Sequence, residues 1–162
     1  MRGTGSGPVV DHVTLTVTDL DVSQRFWCEL LDLVRLADLG TVRVLVHRAS
    51  GFTLSLARHG EGGGRFDETR TGLDHLGFAA GSRAELEARE AQLRGMGAES
   101  TPVRDMPFGW HLDLRDPDGI AVEFYATGPL MAAALAELRD GDLDQVGIDA
   151  RAREYLAAAG VT

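Results

Sequence analysis

Two histidines and one glutamate stand where predicted strands could bring metal ligands together. The strings "DHVTLTV" from Asp11 and "DHLGFAA" from Asp74 both place Asp-His at the head of an apolar, strand-like run. Successive side chains along a strand point to opposite faces. His12 and His75 therefore lie opposite the apolar face of their strands, and Glu123 does the same in "IAVEFYA".

These residue types are suited to binding a divalent transition metal. Two neutral imidazoles and one carboxylate form a facial triad that leaves coordination positions open. An ion with open positions can polarise a substrate, hold it or lower the pKa of bound water. Each residue alone has an ordinary explanation, because strand histidines are more often structural and strand glutamates more often face solvent. Their common face, repeat-related positions and small neighbours together favour a metal site.

The sequence around the histidines repeats, with an offset of 63 residues between His12 and His75. Each half is predicted to form one strand, one helix and three further strands. Asp19 is the candidate N-cap of the first helix, and Ser82 and Glu85 have capping-box spacing at the second. The predicted helices are 18–33, with Val22, Phe26, Leu30 and Leu33 at helical spacing, and 82–97; the later strands are 33–39, 42–48, 52–59, 99–105, 109–115 and 120–126.

This order predicts one structural domain of class α+β, built from two βαβββ modules and a helical appendage. The linker between the modules is rich in glycine and charge and lacks periodicity. The tail is predicted to form two helices, 129–140 and 143–160, which have no counterpart in the first half. The predicted divisions are a flexible N-terminus (1–8), the first module (9–58), the linker (59–72), the second module (73–127) and the tail (128–162).

Composition excludes several classes of function. The formal net charge of −9 argues against a nucleic-acid-binding face, which needs clustered Lys and Arg. The single cysteine, Cys28, cannot form a disulfide within the chain. The first residues lack the apolar core of a signal peptide, and no apolar run approaches the roughly 20 residues that span a membrane. We therefore expect a cytoplasmic protein with no nucleic-acid or membrane partner.

Three motifs resemble those of the vicinal oxygen chelate superfamily, the glyoxalase, bleomycin resistance protein and extradiol dioxygenase family. They are "DHVTLTVTDLDVSQRFWCELLDL", "GLDHLGFAA" and "DPDGIAVEFYA", and the resemblance covers about residues 8 to 127. It implies paired βαβββ modules that form a cupped mixed sheet and assemble as a homodimer, with metal ligands at His12, His75 and Glu123. Fe²⁺ or Mn²⁺ would suit ring-cleaving oxygenation, whereas Zn²⁺ or Ni²⁺ would also serve isomerase or lyase chemistry.

One position departs from the glyoxalase pattern. Aligning "GFTLSLARHG" on "GIAVEFYATG" places Ser55 opposite Glu123, where glyoxalases carry a fourth ligand, a glutamate. A hydroxyl is a weaker metal ligand than a carboxylate, so the chain resembles the three-ligand pattern of extradiol dioxygenases and fosfomycin-resistance enzymes. The latter also carry a threonine two residues after the first ligand, as Thr14 does here. Ser55 and Thr14 are therefore predicted to line the substrate pocket.

Two residues near Glu123 are candidates for catalysis. His111 is predicted on the Glu123 side of the neighbouring strand, as an acid/base group or as a group that orients a ligand; an exposed edge histidine is an equal alternative. Tyr125 could donate to a bound oxygen or simply end the strand.

Two classes of function follow from this pattern. The first is a metalloenzyme, dioxygenase-like or of glyoxalase or lyase type, acting on a small molecule bound through adjacent oxygens. The second is a non-enzymatic binding or resistance protein of the bleomycin-resistance kind. Metal content of protein prepared without chelators would separate them, and the sequence names neither substrate nor metal.

Overall fold

The computed structural model describes residues 10–60, 64–141 and 143–161. The predicted flexible segment 1–8 lies outside these ranges. Two compact units are found. The first unit comprises the chain up to Asp67 together with Asp116–Ile120, and the second unit comprises Glu68–Arg115 and the chain from Ala121 onward.

The first unit contains one mixed sheet and one helix. Its elements are β1 (His12–Thr16), α1 (Leu20–Leu31), β2 (Leu33–Asp38), β3 (Val42–His47) and β4 (Thr53–Ala57). The strand order is β1-β4-β3-β2, in which β1 runs parallel to β4 and the other pairs are antiparallel.

The second unit repeats this arrangement and carries the tail. Its elements are β5 (Leu76–Ala80), α2 (Arg83–Met96), β6 (Arg104–Met106), β7 (Gly109–Arg115), β8 (Ala121–Thr127), α3 (Pro129–Asp140) and α4 (Gln145–Ala158). The order β5-β8-β7-β6 again has one parallel pair, β5 with β8. Two four-stranded mixed sheets with four helices confirm the predicted α+β class and the order of the βαβββ modules.

The helix ends follow the predicted capping chemistry. The Asp19 side chain accepts from the N–H groups of Asp21 and Val22 at the start of α1. Ser82 accepts from the N–H of Glu85 at the start of α2, and the Glu85 carboxylate accepts from the N–H of Gly81 at 2.8 Å. These bonds satisfy N–H groups that a helix leaves unpaired in its first turn.

The buried face of α1 differs from the predicted stripe. Leu20, Ser23, Trp27 and Leu30 are buried, whereas Val22 is exposed. Trp27 and Leu30 are fully buried, as are Leu45, Leu54 and Leu56 on strands β3 and β4, which α1 contacts. Each such leucine contributes about 1.5–3 kcal/mol through burial of apolar surface. The apolar pattern does not predict burial of Ser23, because a polar residue can be buried only where it has a hydrogen-bond partner, and that partner lies elsewhere in the sequence.

That partner belongs to the "DPDG" turn, which the first unit includes. The Asp118 carboxylate accepts hydrogen bonds from the N–H of Thr18 at 3.1 Å and from its hydroxyl, and the Ser23 hydroxyl lies 3.5 Å away. Asp116 accepts from the N–H groups of Asp118 and Ile120 through Oδ1. The turn itself is closed by the N–H of Gly119 on the Asp116 carbonyl, with Gly119 at φ 83°.

The strand predicted over 99–105 was placed wrongly. The structure has β6 at Arg104–Met106, and Ser100 forms an isolated bridge with Leu114. Pro102 has no N–H to donate to a ladder, and the N–H of Val103 donates to Glu90 of α2 at 3.1 Å. The N–H of Thr101 still donates to the Asp113 carbonyl of β7, and the N–H of Arg115 donates to the Glu99 carbonyl. The pairing is therefore interrupted at Pro102 and Val103, and β6 begins only at Arg104.

The predicted tail helices are present as α3 and α4. The tail's apolar side chains line a cavity of about 270 Å³ that also includes Phe108. Beside this cavity, the Glu137 carboxylate accepts a hydrogen bond from the Tyr155 hydroxyl at 2.8 Å and another from the Arg151 guanidinium at 2.6 Å. No helix among the described residues is long and apolar enough to cross a membrane.

Candidate metal centre

Both Asp-His strings have the same local geometry. His12, at the start of β1, has its Nδ1 2.9 Å from the Asp11 carboxylate. His75, immediately before β5, has its Nδ1 2.7 Å from the Asp74 carboxylate. A carboxylate only accepts, so Nδ1–H donates in both rings and Nε2 is left with its lone pair. This is the arrangement in which a carboxylate orients a metal-binding imidazole.

Glu123 lies beside His75 in the second unit. The Nε2 of His75 is 3.7 Å from Oε2 of Glu123. In the β5–β8 register Glu123 stands opposite Gly77, and a Cβ at Gly77 would come to 3.9 Å from Oε2. The small residue predicted to leave room near the carboxylate therefore does so.

His111 contacts the other oxygen of the same carboxylate. Its Nδ1 is hydrogen-bonded to Oε1 of Glu123. Its ring also packs edge-on against Tyr125, with the centroids 4.8 Å apart. The Tyr125 hydroxyl donates to the carbonyl of Phe108 at 2.7 Å. The second unit thus brings His75, His111 and Tyr125 around Glu123.

Neighbouring charges and burial shift two pKa values in this cluster. The hydrogen bond to Asp74 raises the pKa of His75. Partial desolvation opposes this shift, and the negative charge of Glu123 supports it. Burial and then the negative charge of Glu123 raise the pKa of the Tyr125 phenol. The negative charge of Glu123 contributes to both shifts, although the Asp74 hydrogen bond is the largest cause for His75 and burial is the largest cause for Tyr125.

A cavity of about 420 Å³ opens beside His75 and Glu123 within the second unit. Its size falls in the range of small-molecule sites. Asp113, which faces Glu123 across the β7–β8 ladder, also lines it. The remaining lining residues come from the linker, the segment before β6, and strands β7 and β8: Glu68, Asp74, Glu99, Ser100, Thr101, Leu114, Arg115, Ala121 and Val122.

The registers support the alignment of Ser55 with Glu123. Ser55 stands opposite Thr14 in the β1–β4 ladder, as Glu123 stands opposite Gly77 in the β5–β8 ladder. Ser55 lies between the buried Leu54 and Leu56 and points to the other face of β4. Thr14 and Ser55 therefore occupy, in the first unit, the sheet positions of Gly77 and Glu123 in the second.

The predicted ligands are divided between the units, His12 in the first and His75 with Glu123 in the second. Among the described ranges of the chain, no group of three or more His, Cys, Asp or Glu side chains is arranged to hold a metal ion. The predicted triad stays a prediction, but the donors fit a divalent metal: two imidazoles with Nε2 available and a carboxylate facing one of them.

Sequence reasoning missed the roles of Asp11 and Asp74, and it missed the acidic lining of the cavity. The repeated Asp-His pair could have indicated the roles of Asp11 and Asp74, because the same two residue types stand side by side at the head of the equivalent strand in both modules. Asp113 could be placed from strand alternation, but Glu68 and Glu99 come from irregular segments whose positions no periodicity predicts.

Comparison with known proteins gives a family for the chain. The family model described as "Glyoxalase/Bleomycin resistance protein/Dioxygenase superfamily" matches residues 9–124. No curated protein sequence matches. A glyoxylase/bleomycin resistance protein/dioxygenase domain from Frankia sp. EAN1pec is 42% identical, with a TM-score of 0.69, over 76% of this chain and 95% of that one.

Two further solved structures share the fold at lower identity. One is a variant of the fosfomycin resistance protein FosX from Listeria monocytogenes, complexed with Mn(II) and 1S,2S-dihydroxypropylphosphonic acid. It is 18% identical with a TM-score of 0.60, over 78% of this chain and 95% of that one. The other is lactoylglutathione lyase from Agrobacterium tumefaciens, 18% identical with a TM-score of 0.60, over 75% of this chain and 96% of that one.

Proposed function

The chain belongs to the Glyoxalase/Bleomycin resistance protein/Dioxygenase superfamily, and on this premise we propose that it is a metal-dependent vicinal oxygen chelate enzyme of dioxygenase-like activity. His12, His75 and Glu123 hold one divalent ion, Fe²⁺ or Mn²⁺ by preference. When bound, the ion supplies a Lewis acid with open positions for a substrate that offers two adjacent oxygens.

The observation that carries this proposal is the duplicated Asp-His hydrogen bond. A histidine that served only to fill a strand end would not need the same carboxylate on the same ring nitrogen in both modules. Asp11 and Asp74 each fix an imidazole with Nε2 presented for bonding. In the second unit this Nε2 already faces the Glu123 carboxylate at 3.7 Å.

The residues around Glu123 have separate roles in this proposal. His111 holds Oε1 of Glu123 through Nδ1, which leaves Oε2 toward His75. The Nε2 of His111 is the ring atom left to accept or return a proton. The Tyr125 hydroxyl donates its hydrogen bond to the Phe108 carbonyl, and the Tyr125 ring packs against His111 and holds it in place. Thr14 and Ser55 contact the substrate in this proposal.

Assembly as a homodimer completes the site in this proposal. Each ion is held by His75 and Glu123 of one chain and by His12 of the second chain. This division agrees with the finding that the described residues of one chain contain no complete group of ligands. Sedimentation of the purified protein should show a dimer at micromolar concentration, and a monomer there would contradict the assembly.

Mixed variants test the ligand set and its division together. His12→Ala and His75→Ala should each bind no stoichiometric Mn²⁺ while keeping the fold, measured by elemental analysis after gel filtration and by circular dichroism. A mixture of the two after subunit exchange should regain one intact site per mixed dimer. His47→Ala is the matched control, because His47 bonds to Ser50 at 2.8 Å and should leave metal content unchanged.

Three outcomes of that experiment are decisive. Full metal content in either single variant removes that histidine from the ligand set. Loss in both variants without recovery on mixing keeps the triad but places it within one chain. Absence of metal from the unmodified protein, prepared without chelators, supports the second candidate, a non-enzymatic small-molecule binding or resistance protein. The matched family also includes bleomycin resistance proteins, which is what favours that candidate.

A further inference from the structure

The cavity beside His75 and Glu123 has an excess of negative charge. Its lining includes five carboxylates against one guanidinium: Glu68, Asp74, Glu99, Asp113 and Glu123 against Arg115. Arg115 is bound by both terminal nitrogens to the two carboxylate oxygens of Glu68. The guanidinium that could receive an anionic substrate is thus already engaged in a bidentate pair.

The other charges near the cavity reduce this excess but do not remove it. Arg104 compensates Asp113, to which it is hydrogen-bonded from β6. Asp74 and Glu123 bond to imidazoles rather than to guanidiniums. A divalent ion held by His75 and Glu123 would add two positive charges, and the lining with that ion and Arg104 would still sum to a formal charge of about −1.

We infer that this cavity selects a positively charged substrate, such as an amine-bearing vicinal diol, over neutral and anionic compounds with the same pair of oxygens. The inference rests on the proposed function for the chelating end of the substrate. It adds that the rest of the molecule carries the charge complementary to Glu99 and Asp74. Such complementarity raises affinity for the cation and penalises the anion through unpaired like charge.

Three catechols of similar size measure this preference directly. Dopamine is cationic, 4-ethylcatechol neutral and 3,4-dihydroxyphenylacetate anionic at neutral pH, and all three offer the same two oxygens. Zn²⁺-loaded protein without dioxygen allows equilibrium binding to be measured by calorimetry. Dopamine should bind about tenfold more tightly than 3,4-dihydroxyphenylacetate, with 4-ethylcatechol between them. The ratio should shrink at high salt.

Neutral variants locate the origin of the preference. Glu99→Gln, at an exposed position of the lining, should reduce the dopamine-to-dihydroxyphenylacetate ratio to about threefold. Glu87→Gln on α2 removes a charge that does not line the cavity and should leave the ratio unchanged. The ratio is compared within each variant, so a change in metal content affects all three probes alike.

The results separate the inference from the proposed function. Equal affinity for the three catechols, or tightest binding of the anion, overturns the inference while vicinal oxygen chelation stands. Failure of every catechol to bind Zn²⁺-loaded protein, or failure to load Zn²⁺, counts against both. If Glu87→Gln reduces the preference for dopamine as much as Glu99→Gln does, the preference comes from the net charge of the protein. That result would overturn the role of the cavity.

Discussion

Removing the carboxylate of Asp74 tests whether the Asp-His pair orients a metal ligand. Asp74→Ala deletes the acceptor that lies 2.7 Å from Nδ1 of His75. Loss of a group that orients a metal-binding histidine costs about 10- to 100-fold in metal affinity. The His75 side chain is 47% exposed, so solvent can replace part of the lost bond. We therefore expect about a tenfold loss, or about 1.4 kcal/mol.

The comparison variants distinguish orientation from general disturbance. Asp74→Asn keeps an acceptor oxygen and should lose about threefold, because the bond is no longer charge-assisted. Asp11→Ala should match Asp74→Ala, since it removes the equivalent bond at His12. Asp149→Asn on the exposed face of α4 is the control and should have no effect. Affinity is measured by Zn²⁺ competition against a fluorescent chelator.

A second readout does not depend on metal. Nitrogen-15 spectra of the histidine rings in metal-free protein report which ring nitrogen carries the proton. His12 and His75 should both be protonated at Nδ1 in the unmodified protein, and Asp74→Ala should shift His75 alone toward a mixture. Unchanged zinc affinity together with an unchanged tautomer in Asp74→Ala would refute the orienting role.

Three other substitutions have defined outcomes. Ser55→Glu should tighten metal binding and suppress turnover, because the new carboxylate fills a coordination position. The unmodified protein should show negligible glyoxalase activity with methylglyoxal and glutathione, as followed by product absorbance. Asp118→Ala strands the donors of Thr18 and Ser23 and should lower the free energy of unfolding in urea by about 2–4 kcal/mol, against about 1 kcal/mol for Asp118→Asn. Burial raises the pKa of Asp116 above its ordinary 3.8, so the folded chain keeps this proton to higher pH than the unfolded chain. The free energy of unfolding should therefore gain a contribution as the pH falls through the raised pKa, levelling off below 3.8, and urea titrations should show that Asp116→Asn lacks it.

Local patterns were sufficient to predict most of the secondary structure. Asp19, Ser82 and Gly97 act at helix ends through bonds to residues only a few positions away, so the sequence contains their whole explanation. Strand alternation placed Glu123 and His111 on one face because the side-chain period of two is fixed by backbone geometry. The Ser55–Glu123 alignment followed from superposing "GFTLSLARHG" on "GIAVEFYATG", and it agrees with the registers.

Features that depend on distant partners could not be predicted. Ser23 is buried because Asp118, 95 positions away, lies beside it, and no pattern within α1 indicates this. The strand start at Arg104 depends on Glu90 taking the N–H of Val103. The acidic lining of the cavity likewise depends on the positions that Glu68 and Glu99 take in the fold, and both residues lie in irregular segments that no periodicity predicts. Three ligands could be predicted from types and spacing, whereas the proposed sharing of the site between two chains depends on assembly, which no local pattern predicts.

The inclusion of Asp116–Ile120 in the first unit has a consequence for synthesis on the ribosome. Residues 10–60 emerge early, yet the carboxylate that pairs with Thr18 and Ser23 is translated long after Asp67. At roughly 5–20 residues per second, the intervening stretch of about 50 residues delays completion of the first unit by about 2–10 s. During this interval Thr18 and Ser23, near the start of α1, lack the Asp118 carboxylate to which they bond in the folded protein. Synonymous codons that slow translation between positions 67 and 116 should therefore lower the yield of folded protein more than equally slow codons after position 127.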